Sequence, residues 1–168
     1  MLLKPQDILV LLKLIARGRR DWAYNKLALE LSMSASEVHA AIKRALESGL
    51  AIQRDRQIIP NVRNLEEFLC HGIRYVFVAE RGGMTRGTPT TYAAPPLDKV
   101  FFPDGEPIPV WPDAEGTACG LSFSPLYKSA PIAAKSDLAL YELLVLVDAI
   151  RGGCARERNY AINELKKG

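Results

Sequence analysis

Six closely spaced residues, Ser34, Ser36, His39, Ala40, Lys43 and Arg44, carry the clearest chemistry in this chain. If the segment is helical, residues advance by about 100° each. Ser36, Ala40, Lys43 and Arg44 then fall opposite Val38, Ala41, Ile42, Ala45 and Leu46, with His39 on the flank. Small side chains on such a face permit close approach to base edges, and lysine and arginine reach phosphate oxygens or guanine. An ordinary solvated helix face has the same look, so on this helix alone the two readings stand level. Further cations flank it: Arg17, Arg19, Arg20 and Lys26 before it, Arg54 and Arg56 after it. The chemistry expected of the six helix residues together with Arg19, Arg20, Arg54 and Arg56 is contact with double-stranded DNA.

Other reactive residue types form no recognisable constellation. His39 and His71 have no serine or cysteine nucleophile in an elbow context, and the carboxylates are scattered singly, so no enzyme activity is expected. Cys70, Cys119 and Cys154 are spaced as neither a disulfide framework nor a zinc site, and the plain reading is three small, buried, reduced side chains. Cys70-His71 is the one close ligand pair, and adjacent helical residues diverge, so no metal and no cofactor are expected. Gly82-Gly83-Met84-Thr85-Arg86-Gly87 has phosphate-cradle composition without a P-loop or dinucleotide pattern. The preferred reading is a strand-ending turn whose glycines supply positive φ. A third is that Arg81 and Arg86 touch DNA backbone.

The elements that must position the first set are legible. Leu27, Ala28 and Leu31 form an apolar stripe over Asn25–Leu31. Ser34 with Glu37 is a capping box that opens a second helix, and Gly49 suits its left-handed C-terminal cap. Two short helices joined by a tight turn have the geometry of a helix-turn-helix. Ahead lies an apolar helix, Pro5 to Arg17, with Ile8, Leu11, Leu12 and Ile15 at helical spacing. Behind it, Leu50–Arg54 and Gln57–Ile59 flank Arg54-Asp55-Arg56 as a compact basic β-hairpin.

On Trp22, Leu27-Ala28, Ser34-x-x-Glu37-Val38, Ala41, Arg44, Leu46 and Gly49-Leu50, residues 4–60 resemble the winged helix-turn-helix domain of MarR-like bacterial transcriptional regulators. The resemblance covers about a third of the chain. It implies a recognition helix for a DNA groove and a wing whose tip lies along the phosphate backbone or in the minor groove. The hairpin departs from the family pattern in being short and lacking a tip glycine.

Charge follows the same division. Residues 1–63 hold eleven Lys/Arg against six Asp/Glu, and residues 64–168 hold eleven against thirteen, so the surplus of basic charge lies in the first part. Residues 1–62 are read as the DNA-binding domain and 63–168 as a dimerisation, sensing or partner-binding domain, an α+β chain overall. In the second part, a capped helix starts at Asn64, a half-buried strand runs from Ile73 to Val78, and eight of the eleven prolines lie between Pro89 and Pro125. The aromatics spaced between Arg81 and Pro131 argue for an ordered coil over a core. Two helices end the chain. The first, capped by Ser136-Asp137, is apolar on most sides through Leu138, Leu140, Leu143, Leu144, Leu146, Val147 and Ile150. A helix of that kind is buried centrally or shared with another subunit, so a homodimer on a pseudo-palindromic operator is expected. The alternative is an antitoxin-type autoregulator whose second part grips a protein. No apolar run approaches a membrane span, no signal-peptide pattern stands at the N-terminus, and a reducing bacterial cytoplasm fits the cysteines.

Overall fold

The computed structural model of the chain describes residues 2–167. They form a mixed α+β structure with eight α-helices and two small sheets.

Helix α1 (Pro5–Arg17) carries a proline in its first turn and Asp7 as its early acid. Ile8, Leu9, Val10, Leu11 and Leu12 are all buried, so the helix is covered on nearly every side rather than along one stripe. It packs against α3 on one side and α7 on another. Helix α2 (Tyr24–Leu31) buries Leu27, Ala28 and Leu31, the stripe read from the sequence. Helix α3 (Ala35–Ser48) follows after three residues. The Ser34 hydroxyl accepts from the Glu37 amide at 3.1 Å, and Gly49 closes the helix at φ +81°. The other half of the expected capping box is replaced: the Glu37 carboxylate instead meets the Tyr127 hydroxyl at 3.4 Å.

Strands β1 (Ala51–Arg54) and β2 (Gln57–Pro60) pair antiparallel in register, Ala51 with Pro60 and Arg54 with Gln57. Their two-residue connection places Asp55 at φ +52° and Arg56 at φ +64°. That is the backbone of a type I′ turn, where glycine is favoured and arginine is strained. Asn61 then caps helix α4 (Val62–His71), three residues ahead of the cap expected at Asn64.

The strand expected from Ile73 to Val78 is not formed. Its first four residues are a single helical turn, α5 (Ile73–Val76), continuing from α4 through Gly72. β-propensity is overridden by tertiary context, and among the described residues no strand pairs with this segment. The strands lie later. β3 (Arg81–Pro89) pairs antiparallel with β4 (Pro109–Pro112) and with β5 (Ala118–Phe123), while β4 pairs parallel with β5, so the three close on one another. So tight a closure requires glycine: a Cβ on Gly87 would collide with the Trp111 carbonyl. The stretch expected as coil therefore carries a sheet. The Gly82–Gly87 turn is corrected as well, because those residues lie in β3 and none of its glycines has positive φ.

The last three helices are α6 (Ala130–Lys135), α7 (Leu138–Gly152) and α8 (Ala155–Lys167). The Asp137 carboxylate caps α7 through the Leu140 amide at 3.1 Å. Leu140, Leu144, Val145, Leu146, Val147 and Ile150 of α7 are buried within the chain. The apolar surface that suggested a second subunit is thus mostly covered by α1, α5, α6 and α8. Within α7, Asp148 accepts from Thr90 at 2.6 Å, Trp111 at 2.7 Å and Arg151 at 2.8 Å, tying the helix to the closed strands. Complete burial pushes the Asp148 carboxyl upward, against the pull of Arg151 and the two hydrogen bonds. One apolar cluster runs from Ile8 and Val38 through Leu65 to Trp111, Leu144 and Ala161, so the division at 62/63 does not separate two cores. No helix among the described residues is long and apolar enough to cross a membrane.

Candidate nucleic-acid interface

The expected site residues part into two groups. Ser34 at the N-cap of α3 and Ser36, His39 and Lys43 on the helix are exposed, and Ala40 is half-buried between them. Arg44 is not with them. It is 8% exposed, and its guanidinium grips the carboxylate of Asp7 on α1, with Nη2 donating to Oδ1 at 2.8 Å and Nε to Oδ2 at 2.9 Å. The assignment of Arg44 to DNA is therefore corrected. Asp7 is 0% exposed, and a buried carboxylate needs a cation and hydrogen bonds, so the long arginine stem swings inward from the edge of the outer face. Those hydrogen bonds, against the cost of burial, raise the Arg44 pKa further.

Arg17 is also committed. It donates to Glu30 of α2 at 2.7 Å and to the Asp21 carbonyl at 3.1 Å. Glu30 in turn faces Lys13 at 3.1 Å, and Lys13, 4% exposed, reaches the α7 cap Asp137 at 2.6 Å. Burial alone would raise the Asp137 carboxyl. The Lys13 ammonium and the Leu140 and Ala139 amides outweigh it and hold the group below the usual carboxylate range. The sequence hint for both buried pairs was an acid and a lysine set inside the apolar run of α1.

Arg19, Arg20, Arg54 and Arg56 remain exposed. Arg54 lines a concavity of about 410 Å³ with Arg19, Arg20 and Trp22. Arg56 lines another of about 260 Å³ with Trp22, Tyr24 and Gln53. The two hairpin arginines thus serve different recesses, one toward the α1–α2 connection and one toward α2.

Three aromatic side chains, which no local sequence pattern connects, link these parts. The Trp22 indole donates to the Ile58 carbonyl of β2 at 3.1 Å. Its ring meets Tyr24 edge-on at 4.9 Å, and Tyr24 stacks on His39 of α3 at 3.6 Å with planes 10° apart. Offset or edge-on ring contacts each contribute about 0.5–1.5 kcal/mol beyond area burial. The chain of contacts holds the hairpin, the start of α2 and the exposed strip of α3 at one mutual angle.

Elsewhere the cysteines depart from expectation. Only Cys70 is buried, which pushes its thiol pKa up, while Cys119 and Cys154 are free and exposed. Arg86 stands opposite Cys119 in the β3–β5 ladder, and Arg81 donates to the Gly152 carbonyl. Among the described residues no three His, Cys, Asp or Glu side chains come together as a metal would need. No family model, no curated protein and no solved structure matches this chain.

Proposed function

We propose that the chain is a DNA-binding transcription regulator in which α1, α2, α3 and the β1–β2 hairpin act as a winged helix-turn-helix. The observation that carries this reading is the aromatic bridge Trp22–Tyr24–His39. It fixes the outer strip of α3 (Ser36, His39, Ala40, Lys43) relative to a hairpin bearing two exposed arginines that form no ion pair among the described residues. In this reading α3 enters a major groove, with Ser34 and Ser36 at its leading end and Lys43 on phosphate or a guanine edge. Arg54, Arg19 and Arg20 together cradle one stretch of phosphate backbone, and Arg56 contacts the backbone on the α2 side. Regulation by repression, on an operator upstream of its own gene, completes the proposal.

The homodimer loses its original argument, since α7 is covered within the chain, and one DNA-binding unit per chain is all that this reading requires. A second reading, in which the C-terminal half holds a protein partner while DNA binding autoregulates the pair, has one observation in its favour. Tyr75, Val76 and Val78 stand 69%, 54% and 64% exposed in a four-residue stretch. Grouped exposed apolar side chains mark interaction surfaces more often than isolated ones.

The test is a mobility shift of the full chain on its own upstream region and on random DNA across a range of salt. Specific binding is expected, with log affinity falling linearly in log salt. The combined Arg19→Ala, Arg20→Ala and Arg54→Ala variant should lose affinity for both DNAs by similar factors and flatten the salt slope by about one unit per lost phosphate contact. A natively melting variant that binds as wild type would sink the proposal.

A further inference from the structure

A small recess lined by no residue of α1, α2, α3 or the β1–β2 hairpin has a composition that DNA binding does not use. It encloses about 190 Å³ and is lined by Tyr92, Phe101, Phe102, Asp104, Glu106 and Glu157. Three aromatic and three acidic residues line it. Tyr92 lies in a 3₁₀ turn (Thr91–Ala93), the Phe101–Glu106 segment projects from the end of another (Leu97–Lys99), and Glu157 stands in the first turn of α8.

The recess has a rigid wall and an open one. Phe101 is fixed edge-on against Tyr160 of α8 at 5.6 Å. Phe102, beside it, is 75% exposed, an unusual position for a phenylalanine with nothing over it. Glu157 accepts weakly from the Cys154 amide at 3.4 Å. Asp104 and Glu106 have no ion-pair partner among the described residues. Two guanidiniums lie near. That of Arg156 sits over the Phe101 ring at 5.3 Å, and that of Arg81 is turned to the Gly152 carbonyl and the Phe123 ring. Negative charge is therefore in excess at the mouth. The Tyr92 hydroxyl registers the convergence: burial first, then Glu157 and Glu106, push its pKa up against the opposing effect of Arg81.

These features select a class of ligand. An anion is repelled by three carboxylates. A divalent metal is not favoured, because the carboxylates do not come together as a metal-holding group. The volume falls below the roughly 300–1,000 Å³ of pockets for drug-sized molecules, so the occupant is a single small group. Aromatic faces with nearby carboxylates suit a cation of low hydration, the pattern that recognises quaternary ammonium and guanidinium groups. The Arg156 guanidinium over the Phe101 ring at 5.3 Å shows that this ring takes part in a contact of that kind.

We propose that the recess of Tyr92, Phe101, Phe102, Asp104, Glu106 and Glu157 is a binding site for an organic cation, an alkylammonium or guanidinium group. The site stands independently of the DNA-binding reading. Its source is either a small free cation or a basic side chain of another protein, and calorimetric titration of the full chain distinguishes them. The probes are choline chloride, its neutral isostere with carbon in place of nitrogen, and a short arginine-containing peptide.

Choline should bind at least about threefold more tightly than the neutral isostere, the lower reach of a cation–π contact. Phe102→Ala and Glu106→Gln should each abolish that preference. Both side chains are exposed, so the variants should melt as wild type does. A peptide that binds more tightly than choline assigns the site to a protein partner's side chain, and the reverse order assigns it to a small molecule. Equal affinity for choline and the isostere, a preference that survives in both variants, or no binding of any probe overturns the proposal.

Discussion

Removing the Arg44 guanidinium would strand the Asp7 carboxylate in a site without solvent. Breaking a buried pair from one side costs about 3–5 kcal/mol, because the remaining charge keeps its desolvation penalty. Arg44→Ala should therefore lower the urea midpoint steeply, and replacing Asp7 and Arg44 together with apolar residues should recover much of the loss. Lys43, one residue earlier and exposed, has no such duty. Lys43→Ala should leave melting unchanged and weaken DNA binding alone, with gel shift and thermal unfolding read on the same sample. Asp137 supplies a pH signature. Its folded pKa is held below the unfolded value, so its contribution is present above the ordinary carboxylate range and lost as pH falls through the folded value. Urea unfolding of wild type should lose stability below about pH 4, near the unfolded carboxylate value. Asp137→Asn should show a shallower acid limb, and an unchanged limb would place the acid sensitivity elsewhere.

The β1–β2 hairpin combines two demands that conflict at one position. Its type I′ turn asks for glycine at Arg56, where φ is +64°, while the proposed phosphate contact asks for a cation. Arg56→Gly should relieve about 1 kcal/mol of left-handed strain and raise the melting temperature, yet lower affinity for operator and random DNA alike. A variant that gained stability and kept its affinity would remove Arg56 from the interface. The hairpin and the three helices before it are legible in the sequence because their signals are local: apolar spacing, a serine cap, and two short β-branched runs around Arg54-Asp55-Arg56. The closed sheet β3–β4–β5 was not, because its ladders join residues far apart in sequence and its glycines act by close approach, which no local pattern records. The same limit hid the Tyr24–His39 stack, since neither ring's neighbour is set by spacing. Helix α7 shows the opposite case. Its all-round apolarity was read correctly, but the sequence does not say whether the cover comes from the same chain. Leu146, 6% exposed, now predicts that Leu146→Asp unfolds the protein, whereas Leu138→Asp, at a site 63% exposed, leaves it folded. Circular dichroism separates these outcomes.

At the scale of the whole molecule, α1 is the shared beam. It packs on α3 and on α7 at once, and Lys13 and Arg17 extend the tie through Glu30 and Asp137. Cutting after residue 62 would expose the α7-facing side of α1 and leave Lys13 without Asp137. The fragment 1–62 should therefore aggregate or stay molten, although its sequence pattern reads as a complete domain. Size-exclusion chromatography with amide-proton dispersion checks this, and a fragment that folds and stays monomeric would restore two independent units. The shared beam also carries a mechanical implication for the proposed regulator: strain applied around α7 or α8 has a short covalent-free route to α3 through one helix.

The two tryptophans turn this architecture into an optical instrument. Trp111 is wholly enclosed, donating to Asp148 and tilted over Tyr141 at 5.6 Å, while Trp22 lies half-exposed between the hairpin and Tyr24. Iodide should quench the red-shifted emission of Trp22 and leave the blue emission of Trp111 nearly untouched. A single sample would then report in two colours, one for occupancy beside the hairpin and one for the integrity of the core.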